Sequence, residues 1–562
     1  MPAPQLEEIG VDILTTIDKR HTAQSEQADP RQEKNAAGGY TFTVDDWALV
    51  HRFLTLGTDG GTYYTLAADL TKDNAAVVLK AAATDPVELV RRIVDVSMNG
   101  RAPKQNPALF ALAVASASEN VDGRRAALAA LPQVARTGTH LFLFAKYVEQ
   151  FRGWGPALVK GVARWYTNKP VDRLAYQAVK YRQREGWTHR DLLRLSHPKA
   201  GSDERGALFD YIARGLPEVR PEWAAELPPI VQDFEDAQRA VQYETWAEII
   251  GRGNGVTWEM LPDAALGHAA VWEALLEQGI PQTALMRQLP RLTRLGLTTG
   301  RVGAQIAGQL SDADLLQRGR VHPINVLVAQ RTYASGHSAR GESTWTPTPQ
   351  ISDALDAAFY NAYASVQPSG KRTLLALDIS GSMSAAISGM PLTCREAAAA
   401  LAMVTAATEA DHQIVGFTGE HAYRTVQGIF GVQRRGYIAS TSLTPLDISP
   451  RRRLDDICNY TAGLPMGATD CALPMVWALK NRVEIDTFHI YTDNETWFGD
   501  IHPHQALREY RDKMGIPARL VVVAMTGTRR TIADPTDPGQ LDVSGFDSAV
   551  PNLIADFSRG DI

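Results

Sequence analysis

The stretch LLALDISGSM, residues 374–383, decides the fold of the C-terminal part of this chain. A run of aliphatic residues ends in a carboxylate at Asp378, and two hydroxyl side chains follow at Ser380 and Ser382. An apolar run that gives way to short polar side chains is typical of a buried strand that leads into a loop. The stretch therefore predicts a strand whose carboxyl end presents oxygen atoms.

Two later segments place further oxygen side chains after similar runs. PMGATD contains Thr469, and IYTDNET contains Asp493. Two carboxylates and three hydroxyls suit a small, hard cation such as Mg²⁺, which takes oxygen ligands in octahedral geometry. The predicted ligands of Mg²⁺, or of another divalent cation, are Asp378, Ser380, Ser382, Thr469 and Asp493. The alternative is that both serines cap the next helix and that Asp378 is an ordinary turn residue.

This set of residues resembles the metal-ion-dependent adhesion site (MIDAS) of von Willebrand factor A domains. The pattern of that family is Asp-x-Ser-x-Ser followed by a distant Thr and a distant Asp, and every element has a match in this sequence. The resemblance implies that few protein charges surround the cation, which can then take one more oxygen from a partner.

Strand-like and helix-like runs alternate after the linker QPSGKR, as in RTLLALDIS, REAAAALAMVTAATEA and HQIVGFTG. Alternation of this kind predicts crossover connections and a parallel sheet, and fully apolar strands indicate a sheet covered on both faces. We therefore predict a doubly wound α/β domain over residues 366–562. Ligands of such sheets bind beyond the carboxyl ends of the strands, where Asp378 and Asp493 lie.

Length and composition indicate a multidomain, soluble protein. A chain of 562 residues exceeds the size of one hydrophobic core, and 44% hydrophobic and 21% charged residues are ordinary globular values. We see neither an apolar run long enough for a membrane span nor a secretory signal, and we expect a monomer without a membrane partner. Three cysteines without metal-type spacing fit a reducing cytosol, so the predicted location is cytoplasmic.

In the N-terminal two thirds of the chain, the sequence predicts a flexible arm followed by a helical region. Residues 1–38 are polar and end in a Gly-rich stretch, which predicts a flexible arm. Residues 39–365 read as a succession of short amphipathic helices, such as DPVELVRRIVDVSMNG and RRAALAALPQVART. Such a succession predicts an all-α region of stacked helical hairpins.

Positive charge is concentrated in residues 141–200. This block contains twelve Lys or Arg residues and four acidic residues, although the whole chain has a net charge of −6. A basic block in an acidic protein predicts a surface directed at RNA or another polyanion. The alternative is a set of solvated helix faces whose long side chains cover apolar surface.

The same block carries a second resemblance. The run KYRQREGWTHRDLLRLSHPK, residues 180–199, is similar to the signature of the Ro 60 kDa autoantigen family. Further similar segments are FLTLGTDGGTYY (53–64), GRAPKQNPALFALA (100–113), THLFLFAKY (139–147), RVHPINVLVAQRTYASGHSARG (320–341) and LDAAFYNAYASVQPSGKR (355–372). That family joins a HEAT-like helical-repeat ring, the TROVE module, to a von Willebrand A domain. The resemblance therefore implies a TROVE ring over residues 39–365.

The resemblance also implies a function and partners. Members of the family bind small noncoding Y RNAs on the outer surface of the ring and admit single-stranded ends of misfolded or damaged RNA into the central hole. Bacterial members act in RNA quality control with exoribonucleases such as polynucleotide phosphorylase. The implied protein is a cytoplasmic ribonucleoprotein component.

Five residues of the basic block are candidate RNA-binding residues: Lys180, Arg184, His189, Arg190 and His197. Lys180, Arg184 and His197 match the family's RNA-binding positions, and His189 and Arg190 flank the apolar side chains of the same run. If residues 173–184 form one helix, Lys180 and Arg184 share a face, where a phosphate could neutralise both cations. The alternatives are ordinary surface charge for Lys180 and Arg184 and a helix cap for His197 before Pro198.

Catalysis is not expected. The sequence contains no phosphate-binding GxxxxGK[ST] loop and no GxGxxG after a strand, and no nucleophile is evident beside the predicted metal site. The preferred interpretation is an RNA-binding scaffold. The alternative is a metal-dependent protein-interaction module without an RNA function.

Overall fold

The structure, a computed structural model, describes residues 21–35, 37–43, 46–56, 76–99, 102, 104–216, 219, 221–338, 342–385, 387, 392–418, 421–427, 433–439, 442–464, 469–492, 496–525, 530–544 and 550–561. These residues form two compact units. The helical unit contains the described residues from Val50 to Ser365. The α/β unit contains the described residues up to Leu49 together with those from Val366 onward.

The helical unit consists of short α-helices and one small hairpin. Helix α1 (Asp46–Leu56) carries the chain into this unit, and the elements that follow are α2 (Ala76–Thr84), α3 (Pro86–Met98), α4 (Asn106–Ser116), α5 (Val121–Val134), α6 (Gly138–Val148), α7 (Pro156–Thr167), α8 (Val171–Lys180), β3 (Gln183–Arg184), β4 (Trp187–Thr188), α9 (His189–Ser196), α10 (Asp203–Arg214), α11 (Pro229–Arg239), α12 (Tyr243–Gly251), α13 (Ala269–Gln278), α14 (Gln282–Arg294), α15 (Gly300–Ser311), α16 (Ala313–Arg318), α17 (Pro323–Ala334) and α18 (Pro349–Asn361).

Local sequence signals explain these helices. In α3, Asp85 caps the first turn by accepting a hydrogen bond from the backbone N–H of Glu88 at 3.0 Å, and Pro86 occupies the first helical position. The apolar residues of α3 recur on one face and are buried against α4 and α5. Helix α4 is buried all round because α3, α5 and α6 pack against it. The helical character predicted for this region is confirmed, although strands β2, β3 and β4 also lie within residues 39–365.

The α/β unit contains the remaining elements. They are β1 (Gln32–Lys34), β2 (Tyr40–Thr43), β5 (Thr373–Asp378), α19 (Cys394–Thr408), β6 (His412–Thr418), β7 (His421–Gln427), β8 (Gln433–Ala439), β9 (Ser442–Pro445), α20 (Leu454–Ala462), α21 (Leu473–Lys480), β10 (Thr487–Thr492), α22 (Pro503–Met514), β11 (Arg519–Ala524), β12 (Arg530–Thr531), β13 (Gln540–Ser544) and α23 (Val550–Arg559).

A six-stranded sheet forms the centre of this unit. Its strand order is β13-β11-β10-β5-β6-β9, and all pairs are parallel except the antiparallel pair of β6 with β9. Every residue of β5 and β10 is buried, as the apolar strands predicted. The chain leaves β5 toward β6 on one side and later returns to β10 on the other, which opens a crevice at their carboxyl ends. The predicted doubly wound α/β domain is confirmed.

The described part of residues 1–38 differs from the expected flexible arm. Strands β1 and β2 form a three-stranded sheet with β12, and Gln24, Gln32 and Asn35 are buried. These polar side chains are buried because they hydrogen-bond to the α/β unit, as in the 2.6 Å bond from Asn35 Nδ2 to the carbonyl of Thr496. The polar composition of this segment favoured a flexible arm, but hydrogen bonds to distant residues order its described part.

The described residues contain no candidate membrane span. None of their helices combines the length and the apolar character that crossing a bilayer requires.

Candidate functional site

A pocket of about 680 Å³ in the helical unit gathers most of the predicted RNA-binding residues. Lys180, Arg184, His189 and Arg190 contribute to its lining, and His197 does not. The charged lining residues are five basic residues and two acidic residues, namely Lys180, Arg182, Arg184, Arg190, Arg214, Glu235 and Glu259. The excess of positive charge makes the pocket suitable for an anion such as a phosphate group.

Lys180, Arg184 and Arg190 lie on three different elements, so the condition that residues 173–184 form one helix is not met. Helix α8 ends at Lys180, and Arg184 lies on β3 of a hairpin. Glu185 and Gly186 form the two-residue turn of this hairpin with φ values of 55° and 82°, as a type I′ turn requires. The residue pair E-G was the sequence signal for a turn at this point. Lys180 and Arg184 line the same pocket, but Arg184 does so from the hairpin rather than from a shared helix face.

Helix α9 fixes the next part of the lining. Thr188 and Asp191 form a capping box in which the Thr188 hydroxyl accepts from the Asp191 N–H at 3.2 Å and the Asp191 carboxylate accepts from the Thr188 N–H at 3.0 Å. The cap starts the helix directly after β4 and places Arg190, which is exposed, in its first turn. The rigid start of α9 therefore holds Arg190 at the edge of the pocket.

Lys180 is the most constrained cation of the pocket. Its Nζ donates to the Tyr176 hydroxyl at 2.9 Å and lies 3.4 Å from Glu259 Oε1, and 14% of its side chain is exposed. Burial acts to lower the pKa of Lys180, but the Tyr176 hydrogen bond and the Glu259 charge outweigh it and raise the pKa. Lys180 is therefore a fixed positive charge, positioned before any ligand arrives.

Two further arginines line the pocket that were not singled out from the sequence. The guanidinium of Arg182 lies 5.1 Å from the ring centroid of Phe234, and Arg214 is exposed at the end of α10. Arg182 stands between Lys180 and Arg184, so its charge was counted in the basic block. Arg214 lies outside that block, and only the packing of α10 beside α8 and α9 brings it there.

The predicted role of His189 as an RNA contact is not supported by its position. The imidazole is 3% exposed, its Nδ1 is hydrogen-bonded to the Tyr166 hydroxyl at 2.9 Å, and its ring centroid lies 4.7 Å from that of Phe142. Burial lowers the pKa of His189 to about 3, which keeps the ring neutral. His189 is therefore a core residue that anchors the start of α9. Because its ring is buried, it cannot reach a phosphate.

His197 has the structural role that was the alternative prediction. It caps the C-terminus of α9 with φ 44° and ψ 50°, and its N–H donates to the Leu193 carbonyl at 2.9 Å. Its side chain is exposed. The position is therefore a left-handed helix cap whose imidazole is still accessible to a ligand on this surface.

Three of the predicted metal residues, Asp378, Ser380 and Ser382, lie at or just beyond the carboxyl end of β5. Asp378 is buried, its Oδ1 accepts from the Ser380 N–H at 2.9 Å, and its Oδ2 accepts from the Thr492 hydroxyl at 2.9 Å. Ser380 Oγ and Ser382 Oγ lie 3.0 Å apart. The sequence analysis did not identify Thr492 as a neighbour of Asp378. Its position directly before Asp493 was the only indication in the sequence.

Thr469 approaches the same region from another loop. The residue is buried, and its carbonyl accepts from the N–H groups of Trp497 and Phe498 at 3.3 Å each. Two residues on, Cys471 Sγ lies 3.8 Å from Thr492 Oγ1. Burial raises the pKa of the Cys471 thiol, and the nearby Asp378 carboxylate raises it further. These contacts place the loop of Thr469 beside the end of β10.

The oxygen set fits a small divalent cation. Neighbouring ligands of an octahedral Mg²⁺, at about 2.1 Å from the ion, lie about 3.0 Å from one another. The Ser380 and Ser382 hydroxyls are hydrogen-bonded to each other at 3.0 Å, a separation that also allows both oxygens to bind one such ion. Asp493, the fifth predicted ligand, lies outside the described residues. Within the described ranges, no group of three or more His, Cys, Asp or Glu side chains is placed to hold a metal.

Comparisons with known proteins match both units. The family model described as TROVE domain matches residues 33–225 and 253–332, and the model described as Ro60 vWA domain matches residues 372–558. The RNA-binding protein RO60 of Deinococcus radiodurans is 38% identical over 559 residues, which cover 98% of this chain and 99% of the relative. The RNA-binding protein RO60 of Caenorhabditis elegans is 34% identical over 625 residues, with coverage of 98% and 94%. The crystal structure of the Deinococcus radiodurans RO (RSR) protein superimposes with a TM-score of 0.74 at 37% identity, over 92% of this chain and 100% of that one.

Proposed function

Because this chain belongs to the Ro60 family, we propose that it is an RNA-binding scaffold whose helical unit binds a small noncoding RNA of the Y class. The observation that carries this proposal is the pocket that Lys180, Arg184 and Arg190 line together with Arg182 and Arg214. The proposal also draws on the two RO60 relatives, which are named as RNA-binding proteins.

The pocket suits a structured RNA because its cations are held at different depths. Lys180 is fixed inside by Tyr176 and Glu259, whereas Arg184 and Arg190 are exposed at the rim. A lysine acts on phosphate as a point charge, and an arginine offers a planar fork. An RNA helix can be recognised in this way by its backbone and shape rather than by its base sequence.

A second RNA activity rests on the family resemblance alone. We propose that the helical unit also accepts single-stranded ends of misfolded or damaged RNA and that the protein acts in RNA quality control. An exoribonuclease such as polynucleotide phosphorylase is the proposed partner. We propose that the protein is a cytoplasmic monomer, and its small number of cysteines, Cys394, Cys458 and Cys471, agrees with a reducing compartment.

For the α/β unit we propose a bound Mg²⁺, or another divalent cation, held by Asp378, Ser380, Ser382, Thr469 and Asp493. The spacing of the two serine hydroxyls supports this set. A cation held by few protein charges attracts an oxygen ligand from a partner, so the site would recruit a protein rather than carry out catalysis. We propose no enzymatic activity for the chain.

The nucleic acid that accompanies the purified protein tests the proposal directly. The protein is isolated from its host, its nucleic acid is extracted, and the fraction is sequenced. We expect a discrete, small, structured RNA. Recovery of protein free of nucleic acid, together with no binding of structured RNA added at low salt, would contradict the scaffold and favour a metal-dependent protein-interaction module.

A further inference from the structure

Gln24 connects the N-terminal segment to loops of the α/β unit. Its side chain is 0% exposed. Its Nε2 donates to Asp470 Oδ1 at 2.7 Å and to the Ile501 carbonyl at 2.9 Å, and its Oε1 accepts a hydrogen bond from the Thr496 hydroxyl. A single neutral amide therefore joins three chain positions that are more than 440 residues away in sequence.

The partners of Gln24 adjoin the predicted metal ligands. Asp470 follows Thr469 directly, and Thr496 lies on the segment that continues from Asp493. Thr496 Oγ1 also accepts from the Cys471 N–H at 3.2 Å and lies 3.3 Å from the Thr469 carbonyl oxygen. Gln24 thus belongs to the hydrogen-bond network that fixes the loop of Thr469 against the segment after β10.

The backbone of the N-terminal segment holds Gln24 rigidly in this place. The Gln24 N–H donates to the Gly499 carbonyl at 2.9 Å, and the Gln24 carbonyl accepts from the Tyr40 N–H at 2.8 Å. Gly39 packs so closely that a Cβ atom there would lie 2.2 Å from the Thr496 carbonyl oxygen. The segment therefore contacts these loops through its backbone on both sides of the glutamine.

We propose that Gln24 is a positioning residue for the metal site, an inference that rests on the proposed cation in the α/β unit. Mg²⁺ requires near-ideal octahedral geometry, so its affinity depends on how firmly the ligands are held. Residues behind metal ligands typically contribute roughly ten- to hundredfold in affinity. The Gln24 amide nitrogen donates to the Asp470 carboxylate, and the Gln24 amide oxygen accepts from the Thr496 hydroxyl. Only a side chain with both a donor and an acceptor satisfies both partners.

The test measures the affinity of the full-length protein for Mn²⁺ by electron paramagnetic resonance and for Mg²⁺ by calorimetry. Gln24→Leu removes both polar atoms at nearly constant volume, and we expect at least a tenfold loss of affinity for either ion. Gln27→Leu is the matched control, because Gln27 is exposed and its Nε2 bonds within the N-terminal segment to the Gln32 carbonyl. Thermal unfolding in the presence of a chelator shows whether each variant is folded without metal.

A second pair of variants decides the matter if Gln24→Leu does not fold. Gln24→Glu places a carboxylate against Asp470 and should lower the affinity, whereas Gln24→Glu combined with Asp470→Asn restores a donor-acceptor pair and should recover it. Folded variants that bind within twofold of the wild type, while Asp378→Ala abolishes binding, overturn the role of Gln24 alone. If Asp378→Ala also binds normally, the proposed metal site itself is wrong.

Discussion

The Thr492 hydroxyl donates a hydrogen bond to Oδ2 of Asp378 at 2.9 Å and so joins the carboxyl ends of the parallel strands β10 and β5. The bond fixes one carboxylate oxygen, and the Ser380 N–H fixes the other at 2.9 Å. Asp378 is therefore oriented by two neighbouring groups before a cation binds. Hydrogen bonds from such neighbours orient metal ligands and tune their affinity.

Replacing Thr492 by Val should weaken metal binding without removing a ligand. Valine has nearly the same shape but cannot donate to Asp378, so we expect Mn²⁺ affinity to fall roughly tenfold. Loss of the buried bond should also lower the free energy of unfolding of the metal-free protein by about 1–2 kcal/mol. Calorimetry and urea unfolding measure the two effects, and unchanged values in both would contradict this role of Thr492.

Removing both serine hydroxyls should abolish high-affinity metal binding. Ser380→Ala with Ser382→Ala deletes two of the five proposed ligands, and we expect at least about a hundredfold loss in Mn²⁺ affinity, because losing two direct ligands should cost at least as much as losing residues behind the ligands. RNA affinity should not change, because the proposed RNA pocket is built from residues of the helical unit. Ser449→Ala is the control hydroxyl deletion, and a similar loss of metal binding in that control would refute the assignment.

Removing charge from the pocket should weaken RNA binding and its dependence on salt. The triple variant Lys180→Gln, Arg184→Gln, Arg190→Gln keeps most of the side-chain volume and deletes three cations. The slope of log affinity against log salt concentration should decrease by about 0.7–0.9 for each phosphate that the variant no longer neutralises. Fluorescence anisotropy with a structured RNA at several salt concentrations measures the slope.

The matched control for that variant deletes three exposed cations elsewhere in the helical unit: Arg91→Gln, Arg125→Gln and Arg318→Gln. Both triple variants change the net charge equally, so a general effect of charge would weaken both alike. We expect the control to keep most of the RNA affinity. Equal losses in the two variants would show that the pocket has no special role.

The buried His189 should make the helical unit sensitive to mild acid. Its pKa is about 3 in the folded protein against an ordinary value of 6.5, so the unfolded chain takes up a proton first as the pH falls. Its contribution to stability is complete above pH 6.5 and decreases below it, by about 2 kcal/mol at pH 5. Denaturant unfolding at pH 7.5 and pH 5 should show a correspondingly smaller pH effect in His189→Gln. An identical pH effect in both proteins would argue against a neutral, buried ring.

Replacing His197 by Gly separates its capping role from a role in RNA binding. Glycine adopts the left-handed conformation without the penalty of about 1–2 kcal/mol that other residues incur, so the variant should be more stable than the wild type by about 1 kcal/mol. If the exposed imidazole contacts RNA, the same variant should bind RNA more weakly. Increased stability with unchanged RNA affinity would reduce His197 to a helix cap.

The sequence indicated the architecture well because the relevant signals are local. Apolar strands ending in Asp378 and in Thr492 are buried on both faces as predicted, and short amphipathic helices occupy the region before them. Residues 173–184 do not form the single helix on which a shared face for Lys180 and Arg184 depended, because α8 ends at Lys180 and a hairpin with a Glu185-Gly186 turn follows.

The candidate site was predicted less completely than the fold. The run 180–199 indicated the correct surface, but charge and spacing do not distinguish an exposed arginine from a buried histidine. His189 is surrounded by Tyr166 and Phe142, which precede it by 23 and 47 positions, and their packing decides that its ring is neutral. Arg214 reaches the pocket only through the contact between neighbouring helices.

By itself the sequence determined the class of each part: hydrophobic periodicity dictated helices before residue 366 and buried parallel strands after it, and the order of Asp, Ser and Thr dictated an oxygen-rich sheet end. Only the tertiary structure decided which polar residues are functional neighbours. Gln24 and Asp470 meet at 2.7 Å because folding packs the N-terminal segment against distant loops of the same α/β unit. Hydrogen bonds between distant segments leave no periodic signal in the sequence, since their partners are set by the packing of whole elements rather than by the spacing of residues.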